Sequence, residues 1–325
     1  MVSNSSLYFF AVALTLLVAE LIYFRIAIRY NIVDKPNDRS SHVNHAIRGG
    51  GIIFIIAILI WFYTSNFLWP WFVLGACAIA VISFLDDVIS LNQLVRFLVQ
   101  LISVLLLFLQ VWPICWPIYL LLIALIVCIG ALNAFNFMDG INGITGVYAL
   151  VALFTFGFIQ QQIVSFTDIF LLGVVVLSVL IFLFFNFRQQ ARCFAGDIGS
   201  ITIAFILIFF LLQLIQVTGN FLWPLLFLVY GTDSIVTIIY RLKRKENIFK
   251  PHRTHLFQYL SNELKWSHRS VAVVYGSVQL VINCVLVNTL AQQQYLLPLV
   301  LSGLFIVAYL VARKIVLSKI GSVNG

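Results

Sequence analysis

Acidic residues beside glycines and amides recur in this otherwise apolar chain. The stretch NAFNFMDGINGITG, residues 133 to 146, carries Asn136, Asp139 and Asn142 at three-residue spacing. On a helix this spacing puts the three side chains roughly along one face, and in an unwound segment the glycines permit tight turns around a ligand. Both geometries predict a polar site, although a simple turn between two apolar segments also explains the stretch.

Two further acidic motifs suit a divalent cation. Asp86 and Asp87 are adjacent in FLDD, and neighbouring carboxylates repel each other unless a cation lies beside them. In CFAGDIGS, Asp197 stands between two glycines just before an apolar segment, where a helix N-terminus would attract phosphate and Mg²⁺ would bridge phosphate and carboxylate. A solvated helix end and an ordinary Asp N-cap remain the simpler alternatives.

The segment KPHRTHLFQ places His252 and His255 three residues apart, with Arg253 between them. A zinc site needs a third protein ligand, and the segment has no other His or Cys. Contacts to phosphate groups therefore suit this basic segment better, with a charged cytoplasmic loop as the alternative.

The elements that position these motifs are membrane-spanning helices. Hydrophobic residues make up 62% of the 325 residues and charged residues 9%, and the mean hydropathy is +1.08, which excludes a soluble core. Apolar segments near the length of a membrane span recur eleven times. They cover residues 7–29, 49–64, 70–85, 96–112, 116–134, 144–160, 169–186, 199–216, 221–240, 270–289 and 296–312.

Basic residues predict the orientation of these helices. With eleven spans, Lys and Arg fall in alternate loops and in the C-terminal tail, whereas the other loops have none. We therefore expect an all-α polytopic membrane protein forming one catalytic domain, residues 1–325, with its N-terminus outside and its C-terminus and active site on the cytoplasmic side. The net charge of +8 is explained by these loops and requires no nucleic acid.

Polar motifs on one membrane face indicate phosphoryl transfer between a nucleotide-activated donor and a lipid acceptor. The alternative is a multispan transporter or lipid flippase, whose polar residues should lie at the midplane of the membrane. Among the acidic residues, only Glu20 and Asp233 fall inside predicted spans, so the sequence favours the enzyme.

The motifs resemble those of the polyprenyl-phosphate N-acetylhexosamine-1-phosphate transferases, the family that includes the lipid I translocase and the enzymes initiating O-antigen, enterobacterial common antigen and teichoic acid synthesis. The similarity extends from Asp34 to about Gln258, through DKPNDRSSH, RGGG, FLDD, NAFNFMDGINGITG, FAGDIGS and the His-Arg-x-His segment. It implies transfer of a sugar 1-phosphate from a UDP-N-acetylhexosamine to undecaprenyl phosphate in the bacterial inner membrane, with release of UMP. Mg²⁺, or Mn²⁺ in its place, is the implied cofactor, the product would enter O-antigen-like lipopolysaccharide synthesis, and a homodimer is an option.

The resemblance also implies roles for individual residues. Asp197 matches a Mg²⁺ ligand, and Asp86 and Asp87 match paired catalytic acids, one of which would deprotonate or orient the acceptor phosphate. Asp139 also matches a catalytic position, in the motif on the nucleotide side. Residues matching the substrate-binding positions are Arg48, Asn136, Asn142, Phe194, His252, Arg253 and His255. Two features depart from the family pattern: Asn142 stands where many relatives have Asp, and His45 to Ile47 replace a stretch that often contains proline.

Overall fold

The computed structural model describes residues 2–34, 46–111, 117–247 and 252–323, with side chains between residues 5 and 320. Lys35 to His45 of the first motif lie outside this range. The described helices are α1 (Val2–Arg29), α2 (Ile52–Thr64), α3 (Pro70–Ile89), α4 (Gln93–Val111), α5 (Ile118–Met138), α6 (Ile144–Gln162), α7 (Ile169–Asn186), α8 (Gly196–Thr218), α9 (Leu228–Lys243), α10 (Leu256–Gln258), α11 (His268–Ala291) and α12 (Leu296–Val323). Strands β1 (Val33–Asp34) and β2 (Ala46–Ile47) pair antiparallel. The all-α prediction is confirmed.

Ten of the described helices are long and apolar enough to cross a membrane. Together with α2 they coincide with the eleven predicted segments. The prediction for residues 49–64 was too long, because α2 begins only at Ile52 and has 13 residues, about 20 Å of helix. Two of the three glycines before Ile52, Gly50 and Gly51, instead pair with the backbone ahead of α8. The orientation of the termini stays a prediction.

Helix α8 is the centre of the bundle. Every residue from Ile198 to Ile215 is buried, and α8 contacts α2, α3, α4, α5 and α6. The Phe72 ring of α3 stacks on Phe209 of α8 with ring centroids 3.9 Å apart. A helix that is apolar on all sides lies in an apolar environment, and the neighbours of α8 are other helices. The polar N-terminus of α8 therefore emerges in the middle of one end of the bundle.

The regular α-helical hydrogen bonding is interrupted before α9, where Trp223–Phe227 forms a 3-10 helix. The Gln279 side chain of α11 stabilises this junction, because its Oε1 accepts hydrogen bonds from Val229 N (2.8 Å) and Tyr148 Oη (2.5 Å). Backbone groups at membrane depth must find partners within the protein, because lipid offers none. Gln279 thereby holds the start of α9, the helix that carries Asp233.

Two glycines allow the closest backbone approach between the segment before α2 and α8. A Cβ atom added to Gly51 would overlap the Cα atom of Gly199, and one added to Gly199 would lie 2.7 Å from the Cα of Gly51. Backbone atoms on both sides leave no flexible side chain to move away. The segment before α2 and helix α8 can therefore lie this close only if both positions lack a side chain.

Replacing Gly51 with alanine should lower the free energy of unfolding by at least about 3 kcal/mol, the upper range for overpacking, because the new methyl group meets the α8 backbone. Gly130→Ala in α5 is the matched control: a Cβ there meets no atom within 4 Å, and alanine favours the helix by up to about 1 kcal/mol. Thermal unfolding of the purified variants in detergent checks both. Equal unfolding temperatures for the two variants would contradict the close approach.

Candidate active site

The segment AIRGGG pairs with CFAGD along the backbone. Ile47 forms a parallel bridge with Cys193, Phe194 N donates to Ile47 O (2.8 Å), and Gly50 N donates to Phe194 O (2.8 Å). Gly51 N donates to the carbonyl oxygen of Ala195, the residue before α8, at 3.1 Å. This ladder joins two motifs that are almost 150 residues apart in sequence. It places Arg48 beside the N-terminus of α8, and it gives the unusual Ala46 and Ile47 a structural role as strand β2.

Asp87 is bound from three directions. Its carboxylate accepts hydrogen bonds from the backbone N–H groups of Asp197 (3.0 Å) and Ile198 (3.1 Å), and Arg48 Nε lies 2.8 Å from Oδ1. Its side chain is fully buried. A carboxylate at a helix N-terminus satisfies unpaired N–H groups and interacts favourably with the helix dipole. Asp87 therefore caps α8 from a different helix and has no free oxygen for a substrate in this arrangement.

Asp86 and Asp197 share one guanidinium group. Arg96 Nη1 lies 2.7 Å from Asp86 Oδ2, and Arg96 Nη2 lies 3.2 Å from Asp197 Oδ2. Asp86 Oδ1 also accepts a hydrogen bond from Leu91 N at 2.6 Å. Of the carboxylates of Asp86, Asp87 and Asp197, that of Asp197 is the most exposed, at 19%. It is therefore the one most open to a ligand.

The stretch NAFNFMDGINGITG spans the end of α5, a turn over residues 139–143 and the start of α6. Helix α5 ends at Met138, and the chain turns through Gly143, which has φ +86° and so needs a glycine. Asn136 Oδ1, still on the helix, accepts a hydrogen bond from the Ser200 hydroxyl of α8 at 2.7 Å. The stretch is thus fastened to the first turns of α8, beside the acidic residues.

Asn142 contacts the loop after α7, whereas Asn136 contacts α8. The Asn142 side chain is buried, and its Nδ2 donates to the carbonyl oxygens of Arg188 (3.1 Å) and Gln189 (3.4 Å) in the loop after α7. A neighbouring amide, Asn186, reinforces the same junction by accepting from Gly143 N (2.6 Å) and donating to Cys193 O (2.8 Å). The amide of Asn142 is therefore engaged in holding the loops together. Sequence reasoning missed Asn186, for which the signal was an amide at the end of a long apolar run.

Asp139 lies in the turn after α5. Burial raises the pKa of its carboxyl group from 3.8 to about 6, and the negative charge of Asp87 adds to the shift. A carboxyl group with this pKa exchanges its proton close to neutral pH. Asp139 is consequently suited to general acid or base chemistry.

The histidine segment packs against this turn. A Cβ added to Gly140 would lie 3.0 Å from the Phe257 ring, and the His252 ring lies 6.2 Å from that of Phe137. Burial lowers the pKa of His252 to about 4, with the nearby His255 as the next cause, so His252 is neutral at pH 7. Arg253 has a buried Nη2 that lacks a hydrogen-bond partner among the described residues. An unpaired guanidinium nitrogen at this position suits an anionic ligand.

The two acidic residues inside spans are both completely buried. Glu20 contacts Cys193 Sγ at 3.9 Å beneath the glycine segment, and its Oε2 has no hydrogen-bond partner in the described part of the chain. Asp233 is paired with His255 at 3.1 Å.

The residues present fit a magnesium ion, although the described residues contain no cluster of three or more His, Cys, Asp or Glu side chains arranged to hold a metal. Mg²⁺ needs only one or two carboxylates, because phosphate oxygens and water complete its coordination. Asp86, Asp87, Asp139 and Asp197 outnumber the two guanidinium groups of Arg48 and Arg96 in the same cluster. The donor set and the surplus of negative charge both suit a divalent cation near Asp197.

The chain is similar to known transferases in two comparisons. Residues 69–215, from the loop before α3 to near the end of α8, match the model of glycosyl transferase family 4. A relative from Bacillus subtilis (strain 168), described as a probable undecaprenyl-phosphate N-acetylglucosaminyl 1-phosphate transferase, is 28% identical over 286 residues, which cover 81% of this chain and 78% of the relative. The matched region contains Asp86, Asp87, Asp139 and Asp197, so all four aspartates lie in the part of the chain that resembles glycosyl transferase family 4.

Proposed function

We propose that this protein transfers an N-acetylhexosamine 1-phosphate from a UDP-sugar to undecaprenyl phosphate. An oxygen of the acceptor phosphate attacks the β-phosphorus of the donor, the bond from that phosphorus to the bridging oxygen breaks, and UMP leaves. The observation that carries the proposal is the convergence of Arg48, Arg96 and four aspartates at the N-terminus of α8, in a chain related to an undecaprenyl-phosphate transferase. The resulting undecaprenyl-diphosphate sugar would start an O-antigen-like cell-surface polysaccharide.

Phosphoryl transfer depends mainly on positioning and on stabilising charge, and the residues of this site suit both tasks. Asp197 is the first choice for holding Mg²⁺, which would neutralise the phosphate charges when bound. Asp86 aligns Arg96, and Asp87 fixes the backbone of α8 together with Arg48. Asn136 and Phe194 would contact the nucleotide, while His252, Arg253 and His255 would contact the phosphates or the sugar of the donor.

Asp139 is the acid best suited to take a proton from the acceptor. A phosphate monoester loses its second proton near pH 6, which matches the pKa of about 6 that burial gives Asp139. Proton transfer between groups of similar pKa is efficient. After the transfer, Asp139 would be neutral, which is the form that burial favours. Asp86 and Asp87 use their oxygens for fixed hydrogen bonds, so we assign them to orientation.

The transporter alternative receives little support. A transport route through the membrane would require polar groups accessible at the midplane. Glu20 and Asp233 are both inaccessible to solvent in the packed bundle. The enzyme therefore remains the better explanation of the polar residues.

UMP release by the purified protein with undecaprenyl phosphate, Mg²⁺ and a panel of UDP-N-acetylhexosamines tests this proposal. We expect release with one or a few donors, its loss on chelation, and a reduction of at least about 100-fold in Asp197→Asn. Asp168→Asn is the matched control, because Asp168 caps α7 at the opposite end of the bundle and asparagine caps a helix equally well. No release with any donor by folded protein, or equal activity of the two variants, would contradict the proposal.

Replacing Asp139 with asparagine should reduce kcat by about 10² to 10⁴, the usual contribution of a general base, without lowering stability at pH 7. Because its pKa is raised in the folded protein, ionising Asp139 reduces stability as pH rises from about 4 to 6. The asparagine variant avoids this loss, so its unfolding temperature should equal or exceed that of the wild type at pH 7, and any difference should shrink below pH 4. Retained kcat, or a lower unfolding temperature confined to pH 7, would contradict this role.

A further inference from the structure

Asp233 and His255 form a buried pair beside the proposed active site. His255 Nδ1 lies 3.1 Å from Asp233 Oδ1, and the side chains are 2% and 0% exposed. Asp233 belongs to α9, whereas His255 lies in the loop that follows α9 and precedes α10. The pair therefore ties the histidine segment to a membrane-spanning helix.

The other contacts of Asp233 decide which nitrogen of His255 carries a proton. Oδ1 also accepts hydrogen bonds from Leu256 N (3.2 Å) and the Thr237 hydroxyl (3.3 Å), and Oδ2 accepts one from Tyr275 Oη (2.6 Å). A carboxylate surrounded by donors acts only as an acceptor. His255 must then donate to it through an Nδ1–H group.

The opposite nitrogen of His255 is left without a partner. Nε2 is buried and has no hydrogen-bond partner within the described residues. The ring is held between two aromatic rings, with centroids 5.0 Å from His252 and 5.6 Å from Phe257, and Phe257 packs on Gly140 next to Asp139. A buried polar nitrogen without a partner is costly, so the position calls for a ligand atom.

We propose that Asp233 is a positioning residue that fixes His255 as the Nδ1–H form and leaves Nε2 to contact the phosphate or sugar of the bound donor. The proposal rests on the proposed transferase function. In its neutral form, Nε2 accepts a hydrogen bond from a hydroxyl group, and in its protonated form it donates one to a phosphate oxygen. The alternative is that Asp233 only holds the loop to α9 and α11.

The tautomer can be read directly by ¹⁵N NMR of the full-length protein labelled with ¹⁵N-histidine in detergent, with the signal of His255 assigned from its absence in His255→Gln. Neutral His255 should carry its proton on Nδ1 in the wild type and in Tyr275→Phe, which removes one hydrogen bond to Asp233 but keeps the acceptor for Nδ1. In Asp233→Ala the proton should appear on Nε2. A wild-type His255 with its proton on Nε2 would overturn the proposal, and this result does not depend on any Asp233 variant folding or on enzyme activity.

A double-mutant cycle separates positioning from structural support. Asp233→Ala should reduce the kcat for UMP release by about 10- to 100-fold, as for other residues that orient a functional side chain, but by less than about threefold in the His255→Gln background. Equal losses in both backgrounds would show that Asp233 supports only the fold and would overturn the proposal. Absence of UMP release in the wild type would instead refute the proposed function, and the NMR result would still report on the tautomer.

Discussion

The capping of α8 by Asp87 is the interaction on which the rest of the site depends. Helix α8 is buried from Ile198 to Ile215, and because the first N–H groups of a helix have no partner within it, a carboxylate from α3 satisfies two of them. That carboxylate is itself buried and needs a positive partner, which Arg48 provides at 2.8 Å. Each group thus requires the next: a central apolar helix requires a cap, the cap requires Arg48, and Arg48 requires the glycine segment to lie against α8.

This chain of requirements also explains where the negative charge accumulates. Asp87 is neutralised by its cap and by Arg48, and Asp86 shares Arg96 with Asp197. Asp197 follows Gly196 at the start of α8, so capping the helix brings a second carboxylate to the same point. The arrangement holds more carboxylates than guanidinium groups in a small space, a condition that a cation relieves. A metal ion bound here would reduce the repulsion among these carboxylates and allow phosphate groups to bind beside them.

The sequence predicted the helices well because membrane spans appear in it as long apolar segments. Ten long helices and α2 coincide with the eleven apolar segments, and the acidic motifs predicted to share a face do meet at one end of the bundle. The start of α2 was misplaced because hydropathy does not register that Gly50 and Gly51 form backbone hydrogen bonds with a distant loop. The three-residue spacing of Asn136, Asp139 and Asn142 was equally uninformative once α5 ended at Met138, because Asn142 then turns to a different loop. The different environments of Asp86 and Asp87 depend on which helix end each side chain reaches, which adjacent letters in a sequence cannot reveal.

We propose that this cluster binds one divalent cation through Asp197. Electron paramagnetic resonance of Mn²⁺ titrated into the purified protein, with the UDP-sugar present, tests it directly, because free and bound Mn²⁺ give different signal intensities. We expect one bound ion per chain in the wild type and in Asp168→Asn, and a loss of that ion in Asp197→Asn. No bound ion in the wild type, or unchanged binding in Asp197→Asn, would contradict it.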